Sequence, residues 1–368
     1  MTTIINGSSP SITFSDGSAQ TSATRPFLNR LINGAMTIDQ RNAGASVTPT
    51  NNTYNLDRWK AYLTQSSKFT VQQDAGAVTP PAGFNDYLGV TSSSAYSVLT
   101  GDYFLIAQAI EGYNVADLAW GTANAKTVTL SFWVRSSLTG TFGGAFGNNA
   151  GNRAYPFSYT ISAANTWEYK TITVTGDTTG TWLTTTSTGI IIYWSLGAGA
   201  SVSGTAGAWA ANGNLSATGA TSVVGTNGAT WFVTGVQLEV GSTATSFDYR
   251  PYGTELQLAQ RYYLNMNGTT NNFQPLFIGA LYNTTSGTYI MNLPVPMRTV
   301  PTITTSGTIF AQNLSINVSS LAGPYSQIGS LLEGDFTLAS ASTSGNFCFV
   351  RWDNIASGSR SFNISAEL

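Results

Sequence analysis

Hydrophobic and polar residues alternate with a period of two over much of this chain. In residues 128–135, Val128, Leu130, Phe132 and Val134 fall on one side, and Thr129, Ser131, Trp133 and Arg135 on the other. That is the pattern of a strand with one buried face. Residues 167–175 and 230–240 repeat it, the former followed by a turn at Gly176-Asp177. Residues 190–194 are apolar on both faces, as in a strand at the middle of a sheet. The stretch 197–228, rich in Gly, Ser, Thr and Ala, predicts exposed loops. One segment breaks the alternation. Residues 255–263 hold good helix formers, with apolar residues at 256, 259 and 263, and follow Pro251 and Gly253. They predict a helix of two or three turns. Beyond it, residues 274–280, 288–293, 302–310 and 348–352 read as strands, with turns at Asn267-Gly268 and Gly334-Asp335.

These elements divide the chain into a short polar segment (1–25), a large β-sandwich (26–254), a linking helix (255–264) and a smaller C-terminal β-sandwich (265–368). The first segment turns at Asp16-Gly17 and is too short to hold a core. It is either a free tail or an arm that orders by packing on another chain. Composition strengthens the all-β reading. Of 368 residues, 52 are Thr and 40 Ser, a quarter of the chain, and 38 are Gly. Hydroxyl, β-branched and aromatic residues suit pleated strands, and Gly suits turns.

Charge narrows the function. Charged residues make up 9% of the chain, against about 25% in an average soluble protein. The net charge is −2, without a basic cluster, so nucleic acid is not an expected partner. The chain has no histidine and one cysteine, Cys348. A histidine-based triad, an imidazole metal site, an intrachain disulfide and a cysteine zinc site are therefore excluded. No apolar stretch is long enough to span a membrane as a helix, and the first residues do not form a secretory signal. Few charges, many hydroxyls and many aromatics point to an uncharged partner such as a sugar.

Several motifs resemble phage tail-fibre and related virion appendage proteins. Asn29-Arg30-Leu31-Ile32-Asn33-Gly34-Ala35-Met36, Gln40-Arg41 and Asp57-Arg58-Trp59 resemble the opening of their sandwich domain. Residues 108–112 and 131–135 resemble its middle strands. The segment from Gln237-Leu238-Glu239-Val240-Gly241 through Arg250-Pro251-Tyr252-Gly253 to Gln260-Arg261-Tyr262-Tyr263 resembles its end. Residues 297–301 resemble the start of their C-terminal domain, and residues 14–21 a short repeat of trimeric fibres. The sandwich is also similar to jelly-roll carbohydrate-binding modules. The resemblance implies a jelly-roll-like fold and a virion location. It implies partners of three kinds: two further copies in a homotrimer, other virion proteins bound through residues 1–25, and a host surface glycan or receptor met by the C-terminal tip. No membrane insertion is implied. The related modules hold a structural calcium through acidic residues. Here Met36-Thr37 and Thr234-Gly235 stand at those positions, so the expectation is no cofactor, with a structural calcium as the alternative.

The singled-out residues fall into two groups. Asn33, Asp57, Trp59, Glu239, Arg250, Arg261 and Tyr262 read as scaffold. Trp59 is a core residue whose charged neighbours pair locally, Glu239 and Arg250 tie the last strand to the helix, and Arg261 stacks on Tyr262 or Tyr263. Trp133 and Trp231, in patterned strands, are scaffold too. Trp182, Trp194 and Trp209, in or near Gly/Thr-rich stretches, are candidates to stack on a sugar ring. Tyr282, Asn283, Tyr325 and Trp352 are the C-terminal candidates. For glycoside hydrolysis two carboxylates are needed. Glu333 and Asp335 are the nearest pair, but Gly334 between them reads as a hairpin turn. The functional expectation is a non-enzymatic, glycan-binding tail fibre or similar appendage. The alternative is a head decoration or collar fibre with subunit contacts only, and a glycan depolymerase ranks below both.

Overall fold

The alternation in residues 128–135 becomes the strand Val128–Ser136, with Val128, Leu130, Phe132 and Val134 all fully buried. The computed structural model describes residues 27–266, 275–352 and 361–368. It also describes the backbone alone of three short antiparallel strands, Ile4–Asn6, Ser11–Thr13 and Ala19–Gln20. The turns read at Asp16-Gly17 and Asn267-Gly268, and the side chains of the 1–25 arm, lie outside the described residues.

Two antiparallel sheets face one another in the first domain. One runs in the order Glu168–Val174, Val128–Ser136, Thr230–Val240, Leu88–Ser92, Phe69–Gln73. The other runs Ala154–Ile161, Gly140–Gly147, Thr188–Ala198, Tyr103–Glu111, Trp59–Leu63, Thr53–Leu56. Large rings join the layers. Trp194 and Trp59 have centroids 5.4 Å apart, and Phe132 of the opposite sheet meets Trp194 at 5.9 Å. The run 190–194 occupies an inner strand, as its two apolar faces require. The stretch 197–228 departs from the expected loops. It holds two short parallel strands, Ser203–Gly204 and Ser216–Ala217, and it buries Val223 and Val224 in the core. Two isolated valines in a polar stretch have no periodicity to reveal them.

The scaffold motifs, scattered over more than two hundred positions, meet at one junction. Asn33 Nδ2 donates to the carbonyls of Ile38 and Asp57, at 2.8 and 2.9 Å, and Oδ1 accepts from Ile38 N–H. Trp59 Nε1 donates to Asn33 O at 2.9 Å. Arg250 donates to the carbonyls of Leu31 and Asn29 and to Glu255, while Asn33 N–H donates to Glu255. Helix α1 spans Tyr252–Gln260. It starts ahead of the expected position, with Pro251 as its N-cap, whose carbonyl accepts from Thr254 and Glu255. Tyr263 is already in a strand. Glu239 accepts from Gln237 and from Thr245, so it fixes its own loop rather than the helix.

In the second domain a three-stranded sheet, Tyr263–Asn265, Ser361–Ser365, Thr302–Ser306, packs on a seven-stranded one. The larger sheet runs Ser286–Asn292, Pro275–Leu281, Phe347–Trp352, Ile309–Ala311, Ile316–Leu321, Leu331–Leu338, Ser326–Ile328. An added pairing of Ser286–Asn292 with Leu331–Leu338 curls it closed. Gly334 lies inside Leu331–Leu338 and not in a turn. A side chain there would meet the buried Tyr289 ring at 2.6 Å, so this glycine serves packing.

The last residues of the sequence reach back across the first domain. Glu367 pairs with the buried Arg58 and, at 2.5 Å, with Arg41. Leu368 O accepts from Tyr54 Oη at 2.8 Å and Lys60 Nζ at 2.9 Å. The partner of Arg58 is thus remote rather than local. Arg261 does not stack on its neighbours as expected. It pairs with Glu111 through two hydrogen bonds, at 3.0 and 2.7 Å. The guanidiniums over Tyr262 and Tyr263 are those of Arg58 and Arg41, each 3.6 Å from the ring centroid. Glu111 also accepts from Tyr262 Oη, whose pKa is pushed up to about 12, mainly by burial.

Two measurements test this account. Glu367→Gln leaves Arg58 buried without a counter-charge. It is expected to cost about 3 kcal/mol in urea unfolding, and an unchanged midpoint would show that the pairing is immaterial. Asp86 is hydrogen-bonded to Asp74, and its pKa is pushed up to about 6 by burial and then by the Asp74 charge. A raised carboxyl holds its proton in the folded state, so its favourable contribution is complete below about pH 4 and lost as the pH rises through about 6. Asp86→Asn is therefore expected to raise Tm by a few degrees at pH 7.5 and to leave it unchanged at pH 4.

Candidate functional site

Two of the tryptophans chosen as sugar-stacking candidates come together at the surface of the first domain. Trp182, Trp209 and Trp120 form a three-way edge-to-face cluster, with centroids 4.8, 5.3 and 5.4 Å apart. Trp120 is buried, and the other two are half-buried. Tyr155 of Ala154–Ile161 closes on Trp209 at 5.2 Å. Each indole N–H has a protein acceptor: Lys126 O for Trp120, Thr175 O for Trp209, and Thr179 O with Asp177 Oδ2 for Trp182. The rings are therefore locked in place.

An ion pair holds the loops beneath them. Arg153 donates to Asp177 through Nε at 2.8 Å and Nη2 at 2.5 Å. Burial raises the Asp177 carboxyl, but the bonds from Arg153 and Thr179 outweigh it and hold the pKa below the usual carboxylate range. The Arg153 guanidinium also lies 5.9 Å from the Trp209 centroid. Gly180, at φ 80°, leaves room for the Arg153 stem, which a Cβ would approach to 2.6 Å. Preformed rings beside Asn152, Thr179 and Thr181 suit a ligand with an apolar face and hydroxyls. Trp120, Tyr155, Arg153 and Asp177 were not legible in the sequence, since they lie on separate loops and share no local pattern.

The other candidates lie elsewhere. Trp194 and Trp352 are fully buried, one in each core. They are packing residues and present no surface to a ligand, a correction to their reading as stacking residues. Tyr282 and Asn283 form an exposed hairpin tip between Pro275–Leu281 and Ser286–Asn292. There Asn283 Oδ1 accepts from the N–H groups of Thr285 and Ser286. Tyr325 is exposed, and its hydroxyl donates to Glu333 at 3.1 Å. Glu333 and Asp335 share one face of their strand, where Asp335 accepts from Thr288 at 3.1 Å. Trp231 is buried, whereas Trp133 is half-exposed and meets the exposed Tyr169 at 5.4 Å.

The positions singled out in the sequence for a calcium ion do not fit one. Met36 is a buried core side chain, and the Thr234 hydroxyl is already bonded to the Asp86 carbonyl at 2.7 Å. Calcium needs six or more oxygens, usually with several carboxylates. Among the described residues, no group of three His, Cys, Asp or Glu side chains is placed to hold a metal.

No family model and no curated protein matches the sequence. Among solved structures, the chain is similar to the enzymatically active domain of tailspike protein 4 of bacteriophage CBA120. That match has 13% identity and a TM-score of 0.33, and covers 59% of this chain and 22% of that one. It is similar to a putative sugar binding protein from Bacteroides thetaiotaomicron, at 9% identity and a TM-score of 0.34, over 58% of this chain and all of that one. A family 11 carbohydrate-binding module of a Clostridium thermocellum cellulase aligns at 13% identity and a TM-score of 0.27, over 55% of this chain and 98% of that one. At these identities and TM-scores the likenesses say nothing about what this chain binds.

Proposed function

We propose that this chain is a subunit of a phage virion appendage that attaches the particle to a host surface glycan, using the Trp182–Trp209 surface and performing no covalent chemistry. The observation that carries the ligand class is the convergence of two half-buried indoles on a surface braced by the Arg153–Asp177 ion pair. The virion assignment rests on the sequence motifs, whose residues Asn33, Asp57, Trp59 and Arg250 build one connected junction. Residues 1–25 are assigned to attachment within the particle, and the C-terminal domain to the distal tip.

Self-association is part of this reading, and the second domain offers a surface for it. Phe349, Ile278 and Ile290 sit side by side on three neighbouring strands. Leu331 and Ile328 pair on the adjacent strands, and Phe347 lies two residues from Phe349. All six are between 45% and 74% exposed. At about 100 Å² each they offer about 600 Å², close to the roughly 800 Å² per partner of a stable interface. Another copy of this chain is the occupant that this face fits, and the sequence resemblance implies three copies in all. A single sugar site of millimolar affinity corresponds to about −4 kcal/mol, and several copies on one particle raise avidity by roughly 10²–10⁴.

Labelled full-length protein tests the proposal on host cells. Removing the second domain is not a usable control, because Arg58 would lose Glu367. Trp182→Ala and Trp209→Ala are expected to lower binding at least tenfold each, the loss of a stacking surface worth about 1.5–3 kcal/mol. Ile278→Asp with Phe349→Asp is expected to lower the sedimenting mass and, with it, avidity. Absence of binding by a folded, oligomeric wild type would favour a decoration protein, and shortening of host polysaccharide during incubation would make the chain an enzyme.

A further inference from the structure

A cleft of about 420 Å³ opens where residues 27–32 pass the Gly112–Asn114 turn and helix α1. That volume falls within the usual range of small-ligand sites. Ile32 and Leu258 line it with aliphatic surface. Phe27 and Tyr113 line it with rings that are 58% and 61% exposed.

Two guanidiniums also line the cleft, and both are committed. Arg30 donates to Asp117 at 2.9 and 2.7 Å and to Asn114 O at 2.9 Å. Arg250 is held by Glu255, Asp248 and the carbonyls of Leu31 and Asn29. An anion entering the cleft would meet guanidiniums whose charge is already balanced by Asp117, Asp248 and Glu255. The Arg250 guanidinium lies over the Phe27 ring, 5.7 Å from its centroid, and Nε of Arg30 and of Arg250 is buried without a hydrogen-bond partner. The exposed groups left for a ligand are the Tyr113 ring and hydroxyl, the rest of the Phe27 ring and the Asn114 side-chain amide. Among the described residues these two polar groups have no hydrogen-bond partner, and both residues are exposed. They donate and accept, as sugar hydroxyls do, while one face of a pyranose is carbon and hydrogen.

We propose that this cleft is a second saccharide site, taking an uncharged pyranose against Phe27 and Tyr113 with Asn114 and Tyr113 Oη on its hydroxyls. It shares no residue with the tryptophan cluster and does not depend on that reading. The two are neighbours, however. Residues 112–120 carry Tyr113 at one end and Trp120 at the other, and bonds from Gly112 N–H to Ser187 O and from Tyr113 N–H to Thr185 O pin that loop beside Trp182's own. Seven residues span at most about 24 Å.

Saturation-transfer NMR on the full chain tests this, with methyl glucoside, methyl galactoside and methyl mannoside as probes and N-acetylneuraminate as the anionic comparison. In a Trp182→Ala/Trp209→Ala chain, transfer to at least one methyl hexoside is expected to persist. Adding Phe27→Ala and Tyr113→Ala is expected to reduce it at least fivefold. Both residues are more than half exposed, so the fold survives, which near-UV circular dichroism verifies. Complete loss of transfer in the tryptophan variant, with wild type active, overturns the cleft site and leaves the proposed function intact. Transfer undiminished by the tryptophan changes but abolished at the cleft supports the cleft and overturns the tryptophan surface. Persistence after all four substitutions, no transfer to any hexoside in wild type, or transfer to N-acetylneuraminate alone, each overturns the inference.

Discussion

The burial of the Arg58 guanidinium between the Tyr262 ring and the Glu367 carboxylate is the contact on which the two-domain structure turns. A buried arginine is tolerated only where a counter-charge and further acceptors surround it. Here the acceptors come from both domains: Glu367 from the end of the second, and the Ala109 carbonyl, at 2.7 Å, from the middle of the first. Arg298 extends the seam by donating to Thr186 of the first domain and to Ala366 and Glu367 of the second. The low overall charge makes these pairs more consequential. With 9% charged residues, the chain places several of its few ions where water cannot screen them.

Rigid attachment has a consequence for recognition. Both candidate ligand surfaces of the first domain sit on loops, yet those loops are braced by the fold. The 175–182 loop is held by Arg153 and Asp177, and the 112–120 turn by hydrogen bonds to residues 185 and 187. Rings held in one orientation lose little conformational freedom when a ligand arrives.

The second domain is differently organised. Its core is filled by Phe277, Tyr289, Phe336, Trp352 and Phe362, and its sheet closes on itself. Closure removes most free edges, so little of the larger sheet is left open to strand addition. Phe349, Ile278 and Ile290 form an exposed apolar ladder across three of its strands.

Local patterns were enough to establish the all-β class and the buried faces of Val128–Ser136 and Thr230–Val240 from alternation, the inner position of residues 190–194 from an unbroken apolar run, and the existence of α1 from helix formers with apolar residues at 256, 259 and 263, because each depends on neighbours in sequence. The absence of histidine and the single cysteine closed off whole classes of chemistry by composition alone. Trp59 and Trp231 were legible as core for the same local reason. What tertiary structure decided was every pairing between distant segments. Arg58 meets Glu367 and Arg261 meets Glu111 because domains pack, and no spacing along the chain encodes that. Trp182 and Trp209 could be picked out as candidates but not told apart from Trp194 and Trp352, since an indole in a strand is exposed or buried according to which layer covers it. Gly334 read as a turn because Gly-Asp usually is one. Only the Tyr289 ring, brought in from another strand, explains why a glycine stands there.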